Sequence, residues 1–426
     1  MKVAIVGAGI VGVTTAYELA ADGHDVIVFE RHGAAALETS FANAGVVAPG
    51  YVTPWAAPGM PGKVARYLLS RHAPVRLAWP ISRADVRWMQ QWRRACELDS
   101  YLANRARLQR LAFYSRERLH LLTEHHLLEY DRAEGYMVLL RSDKEQKLAQ
   151  PGLQVLRDAG VAFKEIGPEE ARAIEPALNP DTPFASAVHL PGDEVGNCRQ
   201  FALLLKNEAQ GLGARFEFNA TVHPLNPADP TLVRAVQPGM TLPQEGRFDA
   251  VVVCGGVDSA MLLRPLGLRL PLAAVHGYSI SAPIREPLNA PRSGLMDERY
   301  KVAISRLGNR VRVAGSAEIG GVPGRKRPAA IQTLYKVLHD WFPGAAQLAN
   351  TGAAVQEWKG ARPMLPDGPP VIGASGIPGV WINLGHGSSG WALSCGSARA
   401  LADLMLGNQP EIDMEGLGIE RLRLLA

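Results

Sequence analysis

The first 30 residues alternate between apolar runs and glycine-rich connections. Val3 to Val6 form a short apolar run of mostly β-branched residues, which predicts a buried strand. Residues Val11 to Ala21 have the composition of a helix that ends near Gly23. Asp25 to Glu30 then predict a second strand. The chain therefore begins with a strand, a helix and a strand, as Rossmann-like α/β domains do.

Further segments carry a strand or helix pattern. Val251 to Val253 predict a buried strand, and Val380 to Leu384 predict another, which leads into a helix from about Trp391 to Leu406. Gly135 to Leu140 and Arg310 to Gly315 alternate or run like strands of a second sheet. The pattern as a whole predicts a mixed α and β protein.

Length and composition indicate a globular protein of two domains. At 426 residues the chain is too long for one ordinary domain. Its hydrophobic share of 47% and its charged share of 20% are ordinary for a soluble protein. The 45 basic and 41 acidic residues give a net charge of +4, which is too slight for a nucleic-acid-binding protein. We therefore expect no nucleic-acid partner.

Targeting and metal-binding patterns are absent from the sequence. The N-terminus lacks the apolar run of a signal peptide, and no stretch of about 18 uncharged apolar residues predicts a membrane-spanning helix. The 4 cysteines lie far apart without a Cys-x-x-Cys pair, which predicts reduced thiols in a cytoplasmic protein. The adjacent His125 and His126 cannot both face one metal from a regular helix, so we expect no metal site. The missing Gly-x-Ser-x-Gly and His-Glu-x-x-His motifs favour a redox cofactor enzyme over a hydrolase.

A loop with the spacing Gly-x-Gly-x-x-Gly joins the first strand to the first helix. Gly7 permits a tight turn, Gly9 lets a pyrophosphate approach the backbone, and Gly12 lets the helix pack on the strand. The free N–H groups at the helix start would face the phosphates. Glu30 ends the second strand, where a carboxylate accepts hydrogen bonds from ribose hydroxyls. The candidate cofactor-binding residues of this region are Gly7, Gly9, Ile10, Val11, Gly12, Glu30 and Arg31.

The loop alone does not distinguish NAD from FAD, and a glycine-rich turn without a ligand is the alternative. More distant motifs decide between them. Glu-Thr-Ser-Phe-Ala-Asn-Ala-Gly occupies 38–45, and Pro-Trp-Ala-Ala-Pro-Gly occupies 54–59. Gly-Ala-Arg-Pro-Met lies at 360–364, Pro-Asp-Gly at 366–368 and Gly-His-Gly-Ser-Ser-Gly-Trp at 385–391. Together with the glycine loop, these motifs resemble the D-amino-acid oxidase-like flavoprotein family, and within it the bacterial D-amino-acid dehydrogenase small subunits.

The resemblance implies non-covalent FAD, bound extended between the N-terminal loop and a C-terminal glycine loop. The residues implied along the pyrophosphate and the flavin edge are Thr39, Ser40, Asn43, Ala44 and Gly45. Those implied near the isoalloxazine are Gly360, Arg362, Gly385, His386, Gly387, Ser388, Ser389 and Gly390. Those implied where the adenine side passes are Val222, Cys254, Gly255 and Gly256. Backbone donors at the start of the last helix would stabilise the negative charge of a reduced flavin.

Two of these assignments have structural alternatives. Val222 also suits a plain core position, and residues 385–390 also suit a flexible connection between strand and helix. Cys395 lies near enough to the flavin loop that covalent attachment is a question for experiment, although no cysteine occupies the position that related covalent enzymes use.

The resemblance also implies the fold class and the domain organisation. It implies an α/β fold in which a Rossmann-like FAD-binding domain is interleaved with an α+β substrate domain built on a mixed or antiparallel sheet. We assign residues 1–80, 150–265 and 346–426 to the FAD-binding domain, and residues 81–149 and 266–345 to the substrate-binding domain. Such boundaries carry errors of about ten residues.

Arg362, Tyr278 and His386 are the candidate catalytic residues. In the family, the arginine of the Gly-x-Arg-Pro motif clamps the substrate carboxylate, and a guanidinium matches a carboxylate bidentately. A phenol at Tyr278 is a second candidate contact for that carboxylate. We assign no general base, although His276 and His386 are available, and the nearest relatives favour lysine at the position of His276. The alternatives are a structural ion pair for Arg362 and a backbone hydrogen bond for His386.

The implied reaction is the oxidative deamination of a small D-amino acid. Hydride leaves Cα of the neutral amine for flavin N5, and the imino acid hydrolyses to a keto acid and ammonia. The electrons would pass to a quinone or another electron-transfer acceptor. A D-proline or hydroxyproline dehydrogenase, an oxygen-using amino-acid oxidase and a non-enzymatic nucleotide-sensing module are the alternatives.

Residues 61–94 combine basic and aromatic side chains. The segment contains a single acidic residue, Asp85, and many basic residues, with Trp79, Trp88 and Trp92 between them in the sequence. Arginine with tryptophan suits peripheral contact with the anionic inner face of the cell membrane. A solvated helical surface whose tryptophans pack inward is the alternative. The bases are Lys63, Arg66, Arg71, Arg76, Arg83, Arg87, Arg93 and Arg94.

Overall fold

The structure, a computed structural model, describes residues 1–67, 70, 72–240, 242–348 and 355–423. In chain order the strands are β1 (Lys2–Val6), β2 (Asp25–Phe29), β3 (Val46–Val47), β4 (Val75–Ala78), β5 (Ala133–Leu140), β6 (Lys164–Ile166), β7 (Ser186–Val195), β8 (Arg215–Glu217), β9 (Thr221–Val222), β10 (Leu232–Val236), β11 (Gln244–Arg247), β12 (Ala250–Val253), β13 (Ala273–Pro283), β14 (Gly294–Asp297), β15 (Val302–Leu307), β16 (Arg310–Gly320), β17 (Gln356–Met364), β18 (Val371–Ala374) and β19 (Val380–Leu384). The helices are α1 (Ile10–Ala21), α2 (Met60–Tyr67), α3 (Arg83–Ala95), α4 (Leu98–His126), α5 (Asp143–Asp158), α6 (Pro168–Ile174), α7 (Cys198–Gly211), α8 (Ser259–Leu263), α9 (Pro328–Trp341), α10 (Gly390–Leu406) and α11 (Glu420–Arg423).

The first sheet has the strand order β18-β19-β12-β1-β2-β8. β1 pairs in parallel with β2 on one side and with β12 on the other. Because both faces of this sheet are covered, its central strands need nearly continuous apolar runs, which explains Val3 to Val6 and Ala250 to Val253. Helices α1, α7 and α10 pack on one face. Helix α8 and a small sheet of the order β11-β10-β9 pack on the other.

The second sheet has the order β17-β13-β16-β15-β14-β5-β7-β3, with β4 on β16 and β6 on β7. Most neighbours are antiparallel, but β14 with β5 and β4 with β16 are parallel. Helix α9 packs on one face through Leu334, Val337 and Trp341. The other face forms the floor of a large cavity. The predicted class, a Rossmann-like unit interleaved with a mixed-sheet α+β unit, is confirmed.

The predicted elements are present, with shifted ends. The predicted helix from about Trp391 begins at Gly390 and ends at Leu406, and β19 spans the predicted Val380 to Leu384. The strand predicted to end at Gly315 continues to Gly320, because β16 pairs with β13 on one side and with β15 and β4 on the other.

Strand pairing departs from the domain division proposed from the sequence. β3 and β4 lie within 1–80, β6 and β7 lie within 150–265, and β17 lies within 346–426, yet all five pair in the second sheet. The sheet partners are distant in sequence, so no local signal marks where the chain crosses between domains. We propose that these strands belong to the substrate-binding domain, together with 81–149 and 266–345.

Candidate active site

The N-terminal glycine loop holds β1 and α1 at a close approach. Gly7 has φ +104°, and a Cβ on it would lie 2.7 Å from the carbonyl oxygen of Cys254. A Cβ on Gly12 would lie 1.9 Å from the carbonyl oxygen of Gly7. Both glycines are therefore steric requirements of the strand–helix packing. A Cβ on Gly9 would meet only Ser40 Oγ, at 3.6 Å, so the open side of the loop lies at Gly9.

Two polar side chains fix the backbone of this loop. Glu30 is buried, and its Oε2 accepts a hydrogen bond from the N–H of Ala8 at 2.8 Å. Its Oε1 accepts from the N–H of His32 at 2.9 Å. Ser40 Oγ accepts a hydrogen bond from the N–H of Ile10 at 3.0 Å. Gly9 is the N-cap residue of α1 and has no side chain that could cap the helix. The loop is thus rigid before any ligand binds.

A first cavity of about 220 Å³ lies beside this loop. Most of the candidate cofactor residues line it, from both ends of the chain. These are Gly7, Gly9, Ile10, Val11, Glu30, Arg31, Thr39, Ser40, Asn43, Val222, Cys254, Gly255, Gly256, Arg362, Gly385, His386, Gly387, Ser388 and Gly390. The sequence analysis missed other lining residues, such as Ala220, Asp258 and Asn383. Of these, Asp258 pairs with Arg31 Nη1 at 2.5 Å, a contact that no local motif signals.

Five candidate cofactor residues lie elsewhere. Ala44, Gly360 and Ser389 line a second cavity instead. Gly12 and Gly45 line neither cavity, because each faces a backbone carbonyl: a Cβ on Gly45 would lie 2.8 Å from the oxygen of Gly196. Gly12 and Gly45 therefore act through packing.

The C-terminal glycine loop turns from β19 into α10 at the opposite end of the first cavity. His386 is buried, and its Nε2 lies 2.9 Å from Ser397 Oγ. Burial lowers the pKa of His386 to about 3, so the ring is neutral at neutral pH. The N-cap of α10, Ser389, makes no side-chain cap. The positive potential of this loop therefore comes from the N-terminus of α10, because the imidazole of His386 is neutral.

The residues of the first cavity fit FAD. The N-terminal ends of α1 and α10 both lie on its wall without a side-chain cap, and uncapped helix N-termini attract anionic groups. Glu30 follows β2 and residues 385–388 follow β19, and β1 and β12 lie between these two strands in the first sheet. Cys395 is buried in the core that α10 forms with α1, away from the lining residues.

The second cavity has a volume of about 790 Å³ and lies over the second sheet. Its floor is made by small residues of neighbouring strands, such as Gly277, Ala303 and Ala314, which leave room above the sheet. Trp55 and Trp358 form part of its wall, and neither was a sequence candidate. The cavity lining combines apolar and aromatic residues with polar and charged groups.

Arg362 lies where the two cavities meet. Together with Thr39, Asn43 and Ser388, it lines both of them. Its Nη1 donates to the carbonyl oxygen of Ser316 at 2.9 Å. Among the residues that the structure describes, it forms no ion pair, so the alternative of a structural ion pair receives no support. Burial lowers the pKa of Arg362 to about 10, which leaves the guanidinium charged at neutral pH.

Gly277 makes room for this guanidinium. On β17 Arg362 is paired with Val275 of β13, and its side chain reaches across Gly277 to β16. A Cβ on Gly277 would lie 2.3 Å from Nη2 of Arg362. A partly buried cation that has no acid partner among the described residues is costly, and an anion in either cavity would relieve that cost.

The structure places the hydroxyl of Tyr278, which was predicted as a contact for the substrate carboxylate, beside Glu318. Tyr278 lines the second cavity, but its Oη donates to Glu318 Oε2 at 3.0 Å. Burial and the neighbouring Glu318 raise the pKa of Tyr278, so the phenol stays protonated. The one hydroxyl hydrogen of Tyr278 is therefore engaged by Glu318. Glu318 also binds Lys359, at 2.8 Å, in a buried network. Tyr278 thus forms part of the wall. His276 lines neither cavity, and burial lowers its pKa.

The segment 61–94 divides between buried and exposed aromatic residues. Trp88 is a core residue whose Nε1 donates to the carbonyl oxygen of Met364 at 2.9 Å, and Trp92 is partly buried. Trp79 is 81% exposed. Arg71 lies outside the described residues. Within the described part of the chain, every helix is too short or too polar to cross a bilayer.

Comparison with known proteins agrees with this geometry. Residues 2–404 match the family described as FAD dependent oxidoreductase. The chain is 44% identical over 425 residues to a D-amino acid dehydrogenase of Cereibacter sphaeroides, with 99% of this chain and 95% of that protein covered. It is 42% identical over 423 residues to a D-amino acid dehydrogenase of Bradyrhizobium diazoefficiens, with 99% of each chain covered.

Solved structures share the fold. A glycine oxidase from Geobacillus kaustophilus superposes with a TM-score of 0.72 at 22% identity, over 98% of both chains. An iminodiacetate oxidase from Chelativorans sp. superposes with a TM-score of 0.71 at 21% identity, again over 98% of both chains. With a family match over residues 2–404 and full-length relatives at 44% and 42% identity, this chain belongs to the FAD-dependent oxidoreductase family.

Proposed function

We propose that this protein is an FAD-dependent dehydrogenase of D-amino acids that binds its cofactor non-covalently in the first cavity and its substrate in the second. The observation that carries this proposal is the position of Arg362, a partly buried guanidinium at the junction of the two cavities that forms no ion pair with any residue the structure describes. The relatives in Cereibacter and Bradyrhizobium, whose names state D-amino acid dehydrogenase, support the choice of substrate.

The chain's own residues would hold FAD through its anionic and ribose groups. The N-terminal end of α1, with Gly9, would face the pyrophosphate, and Glu30 would accept from the ribose. The N-terminal end of α10, with Gly387 and Ser388 in the turn that precedes it, would lie against the flavin. When bound, FAD supplies the hydride acceptor that no protein side chain provides.

Arg362 would bind the substrate carboxylate and orient the rest of the molecule. The carbonyl of Ser316 holds one nitrogen of the guanidinium, and the rest of the fork is available for a carboxylate. The substrate amine must be neutral, so that its lone pair assists as hydride leaves Cα, and the resulting imino acid then hydrolyses to a keto acid and ammonia. We assign no general base, because His386 is buried against Ser397 and Tyr278 is engaged by Glu318. The protein thus contributes orientation of the substrate.

Anaerobic reduction of the FAD-reconstituted protein tests this proposal. D-alanine and a panel of other D-amino acids, D-proline included, are mixed with the protein under nitrogen, beside the L-enantiomers. We expect D-enantiomers to bleach the visible flavin absorbance and L-enantiomers to leave it. Reoxidation with a quinone, a dye or oxygen then separates a dehydrogenase from an oxidase. Bleaching by L-enantiomers alone, or by no amino acid, would overturn the assignment.

We propose further that the electrons pass to a quinone-type acceptor and that the segment 61–94 makes peripheral contact with the inner face of the membrane. The exposed Trp79 and the four exposed arginines of α3 support this proposal. Anionic lipid attracts such clusters, and each basic residue near the membrane surface contributes about 1 kcal/mol to the free energy of binding.

Liposome binding tests the membrane contact. Replacement of four α3 arginines with glutamate should abolish sedimentation with vesicles rich in phosphatidylglycerol. A matched variant with four reversals on the first-sheet side should sediment like the native protein. Equal sedimentation of the two variants would contradict the contact. The α3 positions are Arg83, Arg87, Arg93 and Arg94, and the control positions are Arg215, Arg247, Arg264 and Arg269, all exposed.

A further inference from the structure

The lining of the second cavity carries a large excess of positive charge. Among its described lining residues, 6 are basic and only 2, Glu145 and Glu298, are acidic. The excess in this one cavity equals the net charge of the whole chain, +4. A concave wall of one sign focuses its field on the space that it encloses. The basic residues are Lys63, Arg66, Lys144, Arg299, Lys301 and Arg362.

The two acids of the cavity are already engaged. Glu145 accepts from Arg299 Nε at 2.6 Å. Glu298 binds Lys301, and its Oε2 accepts from Tyr51 Oη at 2.8 Å. Both carboxylates of the cavity wall are therefore neutralised by basic residues of the same wall.

Lys63 and Arg66 are not compensated in this way. Neither forms an ion pair within the described ranges of the chain, and Arg66 donates a hydrogen bond from Nε to the carbonyl oxygen of Gly62, one turn earlier on α2. Both side chains line the second cavity. Two unpaired cations on one short helix leave an anion-binding position at this wall.

Helix α2 is connected through two strands to the hydrogen-bond acceptor of Arg362. It lies beside β4, where Val75 pairs with Ala317 on β16. Ser316, the residue before Ala317 on β16, accepts the hydrogen bond of Arg362. No residue of α2 is buried, so its long basic side chains are free to reach into the cavity.

We propose that the cavity selects amino acids with an acidic side chain, with the α-carboxylate on Arg362 and the second carboxylate on Lys63 and Arg66. An ordinary amino acid is a zwitterion without net charge and gains little from a cavity with this excess. A dicarboxylic amino acid is a net anion, and both of its carboxylates find a cation. Lys63 and Arg66 are thus specificity-determining residues, an inference that rests on the proposed function.

Isosteric substrate pairs isolate the charge of the side chain. D-glutamate is compared with D-glutamine, and D-aspartate with D-asparagine, through kcat/KM with a dye acceptor. The native protein should prefer each acid over its amide about tenfold or more, since a charge-assisted contact is worth at least that factor. The double variant Lys63→Met/Arg66→Met should lose this preference, whereas Lys63→Arg/Arg66→Lys should keep it.

A matched variant controls for the loss of two positive charges. Arg93→Met/Arg94→Met removes two exposed cations of α3 that do not line the cavity, so the acid-to-amide ratio should not change. Flavin content of each variant reports an intact fold. A native ratio near one, or an equal ratio in the α2 variant and the native protein, overturns the inference. Those outcomes leave the proposed function standing if D-amides reduce the flavin, whereas failure of every D-amino acid would remove both.

Discussion

Replacement of Arg362 with methionine tests the proposed carboxylate site, because the structure shows the contacts that the change removes. The change removes the guanidinium and keeps much of the side-chain volume. It deletes the hydrogen bond to Ser316 and the one cation that both cavities share. Because the guanidinium has no ion pair among the described residues, its removal breaks no structural salt bridge. We therefore expect a functional loss without a loss of stability.

The size of that loss follows from the pair that Arg362 would form with a carboxylate. Truncating one partner of a buried, hydrogen-bonded charge pair costs about 2–5 kcal/mol. This corresponds to a decrease in kcat/KM of about 30- to 5,000-fold. Arg362→Lys keeps the charge but loses the planar fork, so we expect an intermediate value. The melting temperature of Arg362→Met should equal or exceed that of the native protein.

The assay is kcat/KM for D-alanine with a dye acceptor, at equal flavin content for each variant. A primary amine with the same carbon skeleton but no carboxylate serves as the control substrate, because Arg362 has nothing to bind on it. The native protein should oxidise this amine slowly, and Arg362→Met should oxidise it at a similar rate. The reasoning is refuted if the variant keeps kcat/KM for D-alanine within about threefold, or if it loses both substrates equally.

Three further changes test other parts of the account. Gly277→Ala places a Cβ 2.3 Å from Nη2 of Arg362, so kcat/KM should fall as in the arginine variants while flavin content stays normal. Gly12→Ala places a Cβ 1.9 Å from the carbonyl oxygen of Gly7, so the purified protein should hold little flavin and melt at a lower temperature. His386 has a pKa of about 3 when folded and about 6.5 when unfolded, so its unfolded ring takes up a proton first as the pH falls. The free energy of unfolding should therefore decrease between pH 6.5 and 3, by about 1.4 kcal/mol per unit near pH 5, and urea unfolding of His386→Gln should show a smaller decrease.

Part of the cofactor region was predictable from the sequence because its geometry is local. Gly12 packs on Gly7 within one short loop, whereas Gly7 itself packs on Cys254, a distant residue that no local spacing signals. The strand that ends at Val253 and the helix from Gly390 also carry their own apolar patterns. Spacing alone therefore indicates such a site before any contact is known.

The substrate region was less predictable because its contacts are distant in sequence. Glu318 takes the hydroxyl of Tyr278 from 40 residues away, across two neighbouring strands. The need for Gly277 arises only from the register of β13 and β17, which brings Arg362 over it. Trp88, for which the sequence left an interfacial and an inward-packed position open, packs inward against β13, β16 and β17. Sheet register and helix docking produce these contacts, and neither leaves a local pattern.

The most direct test of the central claim is a spectral titration of the FAD-reconstituted protein with benzoate, a carboxylate that has no hydride to donate. If one guanidinium joins a flavin site to a carboxylate site, benzoate should perturb the visible flavin spectrum of the native protein. The same titration of Arg362→Met should give little change at equal flavin content. An equal perturbation in both proteins, or a native protein that retains no flavin at all, would contradict the account.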